Sequence, residues 1–124
     1  MIGVDIESIT RFNKLDRRKN GNFLNRIFSP RELEYCYSRK NPAPHLTARF
    51  AGKEAVNKAL LSSGYDPLPH QAIEILNGPN GAPRVRLRKR LSKNKDQTIE
   101  ISLSHSGKNA VALAIMLAKN AKNK

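Results

Sequence analysis

The sequence predicts an α+β domain in which a small antiparallel sheet packs against a long central helix and shorter helices. Three observations carry this expectation. Apolar and polar residues alternate around Ile2, Val4 and Ile6, around Ile73 and Ile75, around Val85 and Leu87, and around Ile99, Ile101 and Leu103, the period of two expected of half-buried strands. Thr47 to Leu61 is rich in Ala, Leu, Lys and Glu, which lose little freedom on entering a helix. Ser29-Pro30-Arg31-Glu32 places a capping hydroxyl, a proline at the first helical position and a glutamate three residues after the cap.

Taken in order, the first strand puts Asp5 and Glu7 on one face. Ser8 then caps a short helix whose Ile9, Phe12 and Leu15 face inward, leaving Arg11, Lys14, Arg17 and Arg18 to solvent until Asn20-Gly21-Asn22 breaks it. A helical piece from Phe23 to Phe28 leads into the helix capped by Ser29, which runs to about Arg39. It stops before Asn41-Pro42-Ala43-Pro44, where two prolines call for an extended loop. The long helix ends at Gly64, and Gly52 within it should cost up to about 1 kcal/mol of helix stability. Asn77 to Pro83 is a dense turn cluster that makes a hairpin of the next two strands, with Arg84, Arg86 and Arg88 on one face. Ser104-His105-Ser106-Gly107-Lys108 turns the chain into the run from Ala110 to Ala118, which its alanines allow as helix and its length allows as strand. Residues 1–118 are expected to form one domain and 119–124 a frayed basic tail.

A chain of 124 residues suits one domain, and 23 Lys+Arg against 10 Asp+Glu give it a net charge of +13. Such a field attracts nucleic acid, an anionic membrane, a phosphorylated small molecule or an acidic protein. The single cysteine, Cys36, excludes an internal disulfide framework and sits beside Leu33 as a small buried hydrophobe. The longest apolar run, nine residues, is too short to span a membrane, and Met1 to Asp5 has no signal-peptide pattern, so a soluble cytoplasmic protein is expected.

Two readings of Glu54 stand side by side. It has the i,i+4 spacing for an ion pair with Lys58, yet a helical wheel sets its carboxylate in the flank made by Phe50, Ala51 and Ala55, where a lone charge is costly. The functional reading joins Glu54 to Asp5 as ligands of a hard divalent cation, with Lys58 facing a phosphate oxygen and Glu7 within reach of the same ion. The turn at Ser104-His105-Ser106 suits an anion such as phosphate or is a plain hairpin. Arg84 to Lys95, with seven basic residues in twelve, is a solvated face or a polyanion site. His45 and His70 receive no role from spacing.

Five stretches occur in one order: Ile2-Gly3-Val4-Asp5-Ile6 with Arg11; Phe28 to Cys36; Arg49-Phe50-Ala51-Gly52-Lys53-Glu54-Ala55 with Lys58; Asn77 to Pro83; and Ser102 to Ser106. Together they resemble the short bacterial class of 4′-phosphopantetheinyl transferases, the holo-acyl-carrier-protein synthases. The resemblance implies that family's α+β fold and Mg²⁺-dependent transfer of the phosphopantetheine arm of coenzyme A to a serine of apo acyl carrier protein, in fatty acid biosynthesis. It implies Asp5 and Glu54 as metal ligands, with Glu7 a further one by analogy to the larger transferases, and Asp5, Glu54 and Lys58 as the catalytic set. It also implies a coenzyme A site lined by Arg49, Phe50, Lys53, Lys58, Asn80, Gly81, Pro83, Ser104, His105 and Ser106. Arg11, Lys14, Arg17 and Arg18 would meet the acidic carrier protein, and a homotrimer would hold the sites between subunits. Neither membrane nor nucleic acid is expected as a partner. The competing reading, a non-enzymatic basic nucleic-acid-binding domain, explains the charge but leaves Asp5 and Glu54 without a purpose.

Overall fold

A computed structural model of the chain describes residues 1–89, 91 and 97–118. The expected tail and most of the second half of the Arg84 to Lys95 strip lie outside the described residues. The elements run β1 (Ile2–Ser8), α1 (Ile9–Asn13), α2 (Gly21–Ile27), α3 (Pro30–Ser38), α4 (Pro42–Ser62), a 3₁₀ turn at His70–Ala72, β2 (Ile73–Asn77), β3 (Pro83–Leu87), β4 (Gln97–Ser106) and β5 (Asn109–Ala118). β5 lies between β1 and β4 in an antiparallel sheet of three strands, and β2 pairs with β3 in a hairpin. The Ala110 to Ala118 run is therefore a strand, because as the central one it satisfies backbone groups on both of its edges.

Ser29 caps α3 as its sequence predicts. Its hydroxyl accepts from the Glu32 N–H at 3.3 Å, while Glu32 Oε1 accepts from the Ser29 N–H at 2.9 Å. The long helix departs from expectation at its start: α4 opens at Pro42 rather than Thr47, so Pro42 to Pro44 are helical and not loop. Both prolines fall in the first turn, where the backbone N–H groups have no intrahelical partner and a missing donor costs nothing. α1 is shorter than expected and ends at Asn13, and Ser8 stands at its N-cap without a side-chain bond. Of the four expected docking cations only Arg11 is on the helix. Arg17 and Arg18 belong to a following turn in which Asp16 Oδ1 accepts the N–H groups of Arg18 and Lys19, each at 2.9 Å. Nor do Ser104 to Ser106 form a turn; they end β4, and Gly107, with φ +59°, makes the reversal.

β1 alternates as predicted, and its apolar face is the outer one. Ile2, Val4 and Ile6 are 59%, 55% and 64% exposed, while Gly3 is buried and Asp5 and Glu7 turn toward the molecule. The reason is the closeness of α4. A Cβ at Gly3 would run into the Ala55 carbonyl oxygen and lie 2.7 Å from the Ala59 nitrogen, so the inner face accepts only small residues. Ala51, Ala55 and Ala59 of α4 meet Ala110, Ala112 and Ala114 of β5 in the same manner, all essentially fully buried. Apart from the buried Met116, the large apolar side chains of β1 and β5 consequently point outward. Gly52 has a packing cause as well, since a Cβ there would come within 3.0 Å of the Ile101 Cδ1 atom.

The remaining core lies under α1 to α3, where Phe12 packs its ring against Phe28 at 6.2 Å and Phe50 at 5.6 Å between centroids. Cys36 is buried there as expected, its thiol pushed up to about 12 by burial.

Candidate active site

The short inner face of β1 and the middle of α4 bring carboxylates together. Lys58 Nζ reaches across to β1, donating to the Val4 carbonyl at 2.9 Å and to Asp5 Oδ1 at 3.2 Å. Lys58 does not pair with Glu54, so the intrahelical ion pair is not formed. Asp5 Oδ2 is buried without a donor. Beside it, Glu7 is pushed up to about 7 by burial, reinforced by the Asp5 carboxylate next to it. The Arg11 guanidinium, 3.6 Å from Glu7 Oε1, only partly offsets this. Glu54 adds a third negative charge near Glu7. Each of the three carboxylates has a basic neighbour, Lys58, Arg11 or His70, and Asp5 still offers a buried oxygen to a cation, although among the described residues no three His, Cys, Asp or Glu side chains stand together as a metal-binding group.

Glu54 has a partner that spacing did not indicate. His70 Nε2 bonds to Glu54 Oε2, and the imidazole stacks on Phe50 with centroids 5.5 Å apart and planes 19° from parallel. Phe50 in turn carries the Arg11 guanidinium 5.2 Å from its ring centre, which links the first helix to the carboxylate cluster.

A second cationic group forms around Arg49. Its guanidinium donates to the Ile75 carbonyl at 3.3 Å and to Asn77 Oδ1 at 3.1 Å, and lies 4.5 Å from the ring centre of Tyr35. Tyr35 meets His45 edge-on at 5.8 Å, and His45 meets His105 at 6.4 Å, so Arg49 and the exposed end of β4 are joined through two rings. Desolvation, then the charge of Arg49, hold His45 below the usual imidazole range. A cavity of about 400 Å³ opens here, lined by Arg31, Tyr35, Arg49 and Asn77 among others. Asn80 and Pro83 border another of about 400 Å³ between β3 and β4, with Gly81 at φ +85° in the adjoining turn.

Lys53 overturns its expected place at a ligand surface. It is fully buried, and its ammonium donates to Glu32 Oε1 at 2.7 Å and to the carbonyls of His70 at 2.9 Å and Ile73 at 2.5 Å. Burial lowers its pKa, opposed chiefly by the Glu32 charge. Glu32 Oε2 also accepts the Ile75 N–H at 2.8 Å, so this pair ties α3, α4 and β2 together beneath the site and leaves no donor for a ligand.

A family model described as the 4′-phosphopantetheinyl transferase superfamily matches residues 1–116. The chain belongs to this superfamily. Among similar proteins, the holo-acyl-carrier-protein synthase of Geotalea daltonii is 40% identical over 118 residues, covering 92% of this chain and 94% of that one. That of Chlamydia felis is 42% identical over 117 residues, covering 94% and 95%. The crystal structure of the Helicobacter pylori holo-acyl-carrier-protein synthase in complex with coenzyme A aligns with a TM-score of 0.75 at 33% identity, covering 94% of this chain and all of that one (100%). The Mycobacterium tuberculosis acyl carrier protein synthase aligns at 0.71 and 36% identity, covering 95% and 96%.

Within this phosphopantetheinyl transferase, then, Asp5, Glu7, Glu54 and Lys58 gather at one place, Arg49 and His105 at a second, and Asn80 and Pro83 at a third. Among the described residues no helix is long and apolar enough to cross a membrane. His45 and His70 are the residues that sequence reasoning missed. His45 lies four residues before Arg49 on α4, a spacing hidden by reading Pro42 to Pro44 as loop. For His70 no local signal existed, because its partner is sixteen residues away across a loop.

Proposed function

We propose that this chain transfers the 4′-phosphopantetheine arm of coenzyme A to a serine hydroxyl of an apo acyl carrier protein, releasing adenosine 3′,5′-bisphosphate, and so serves fatty acid biosynthesis in the cytoplasm. The observation that carries the reading is the contact of Lys58 with Asp5 beside Glu7, whose charge Glu54 also influences, in a member of this superfamily, with one buried Asp5 oxygen unsatisfied. Asp5 and Glu54 would suit Mg²⁺, an ion that takes one or two protein carboxylates and completes its shell with water and substrate phosphate, and with no three-ligand group among the described residues Glu7 is not needed as a third. When bound, Mg²⁺ would neutralise charge on the diphosphate. The serine oxygen attacks the β-phosphorus of coenzyme A, and the bond to the bridging oxygen breaks. Lys58 stabilises the phosphate charge, and Glu54 takes or relays the serine proton.

The Arg49, His105 and Asn80 to Pro83 regions provide cations and polar groups for the rest of coenzyme A. Arg11, Lys14, Arg17 and Arg18, all exposed, offer a positive surface to an acidic carrier protein. The outward apolar face of β1 and β5, including Ile2, Val4, Ile6, Leu113 and Leu117, is the kind of surface a soluble chain covers. Copies of this chain arranged as a homotrimer would cover it and set the carboxylates of one subunit beside the Arg49 and His105 region of the next. Mass spectrometry of apo carrier protein incubated with this protein, coenzyme A and Mg²⁺ tests the activity. A phosphopantetheine mass increment is expected, and its absence with a folded acceptor refutes the reading.

A further inference from the structure

His70 belongs to none of the stretches that carry the family resemblance, yet three contacts fix it. It opens the 3₁₀ turn before β2, and its backbone carbonyl accepts from the buried ammonium of Lys53 at 2.9 Å. Its ring lies flat on Phe50, with 19° between planes. Its Nε2 meets Glu54 Oε2, and because an ionised carboxylate can only accept, Nε2 carries the hydrogen and Glu54 receives it. Among the described residues this is the one hydrogen bond to the Glu54 side chain, which is 34% exposed. A glutamate with three rotatable bonds in a half-open position would otherwise spread over several rotamers.

We propose that His70 is a positioning residue: braced by Phe50 and tethered through its carbonyl to Lys53, it holds one oxygen of Glu54 and leaves the other free for the reaction. The brace is built from below. Lys53 is locked by Glu32, Glu32 by the capping box of α3, and the locked turn presents the imidazole at a fixed height over α4. Partners of this kind, which hold a ligating or reacting carboxylate without touching substrate, are worth about ten- to a hundredfold in metal affinity or activity. The inference rests on the transferase reading above.

Two variants separate the hydrogen bond from the ring. His70→Phe keeps the stacking on Phe50 and removes the donor; His70→Gln gives up the ring and restores an N–H at similar reach. His70→Phe should lower kcat about ten- to a hundredfold with KM for coenzyme A and melting temperature nearly unchanged, and should weaken Mn²⁺ binding to the substrate-free protein, read by electron paramagnetic resonance, by about tenfold. His70→Gln should recover a substantial part of both. His70→Phe with wild-type kcat and wild-type Mn²⁺ affinity overturns the proposal, as does a His70→Gln protein that is folded and as impaired as His70→Phe. Wild-type protein that adds no phosphopantetheine refutes the transferase reading instead, and the Mn²⁺ measurement still decides whether His70 holds Glu54.

Discussion

Lys58 Nζ bonds Asp5 Oδ1 at 3.2 Å, crossing from α4 to β1 instead of turning along its own helix to Glu54. The Lys58 side chain is 54% exposed, and a pair so open to solvent contributes little to folding, about 0 to 1 kcal/mol. Its position beside the unsatisfied Asp5 carboxylate matters for charge at the site instead. Lys58→Gln should therefore lower kcat far more than melting temperature, while Asp5→Ala or Glu54→Ala should abolish transfer in a folded protein. Steady-state kinetics with parallel calorimetry would decide, and a Lys58→Gln protein that loses stability but keeps kcat would make the residue a structural tie.

Glu7 should make stability depend on pH in the opposite sense from an ordinary carboxylate. Its folded pKa of about 7 lies above the ordinary 4.5, so the native state binds the extra proton between these values. The contribution is full below about 4.5 and is lost as pH rises through about 7. Glu7→Gln, which is neutral throughout, should gain melting temperature over wild type from pH 5 to pH 8, measured in chelator. A difference that stays constant across that range would show that Glu7 ionises freely.

Lys53 is held for structure. Removing it leaves Glu32 buried with two backbone donors and no cation, so Lys53→Met should destabilise the fold by about 3 kcal/mol or more. Denaturant unfolding would measure this. A stable Lys53→Met protein with a raised KM for coenzyme A would return the residue to the ligand site.

Leu113 sits across from Val4 on the outward face of the sheet. If the chain forms the proposed homotrimer, Leu113→Lys should leave the subunit fold intact, since the side chain already faces out, and convert that trimer to smaller species by light scattering with loss of activity. An active monomer at assay concentration would rule out shared sites.

Arg11→Glu should raise KM for the carrier protein and leave KM for coenzyme A nearly constant, with the effect shrinking as salt screens charges beyond a Debye length of about 8 Å. Because Arg11 also faces Glu7 and Phe50, Arg18→Glu in the exposed turn is the companion measurement. Carrier KM unchanged in both at low salt would move the docking surface elsewhere.

Much of this architecture was legible in the residues, and the misses have physical causes. Alternation in β1 told which residues share a face but not which face is buried; that depends on how closely α4 approaches, and Gly3 was the signal. The prolines at 42 and 44 signal a loop in sequence, yet the first helical turn tolerates them. Lys53 is placed at the coenzyme A site by resemblance alone, and its burial is not legible locally because a lysine is rarely buried unless it is paired and its partner Glu32 is on another helix. Asp5, Glu54 and Lys58 could be nominated from spacing and resemblance, whereas the His70 contact exists only once the loop before β2 folds back over α4.

The contact between Gly3 and the α4 backbone also fixes the chain along its own axis. A slip of β1 by one residue would press Val4 against the Ala55 carbonyl and turn Asp5 away from Lys58 to the outer surface. With only a hydrogen atom at residue 3, the strand has one position in which it can lie flat on the helix. The absence of a side chain thus acts as a gauge that sets the reach of the carboxylate two residues on, and a methyl group there would be felt first as a misplaced Asp5.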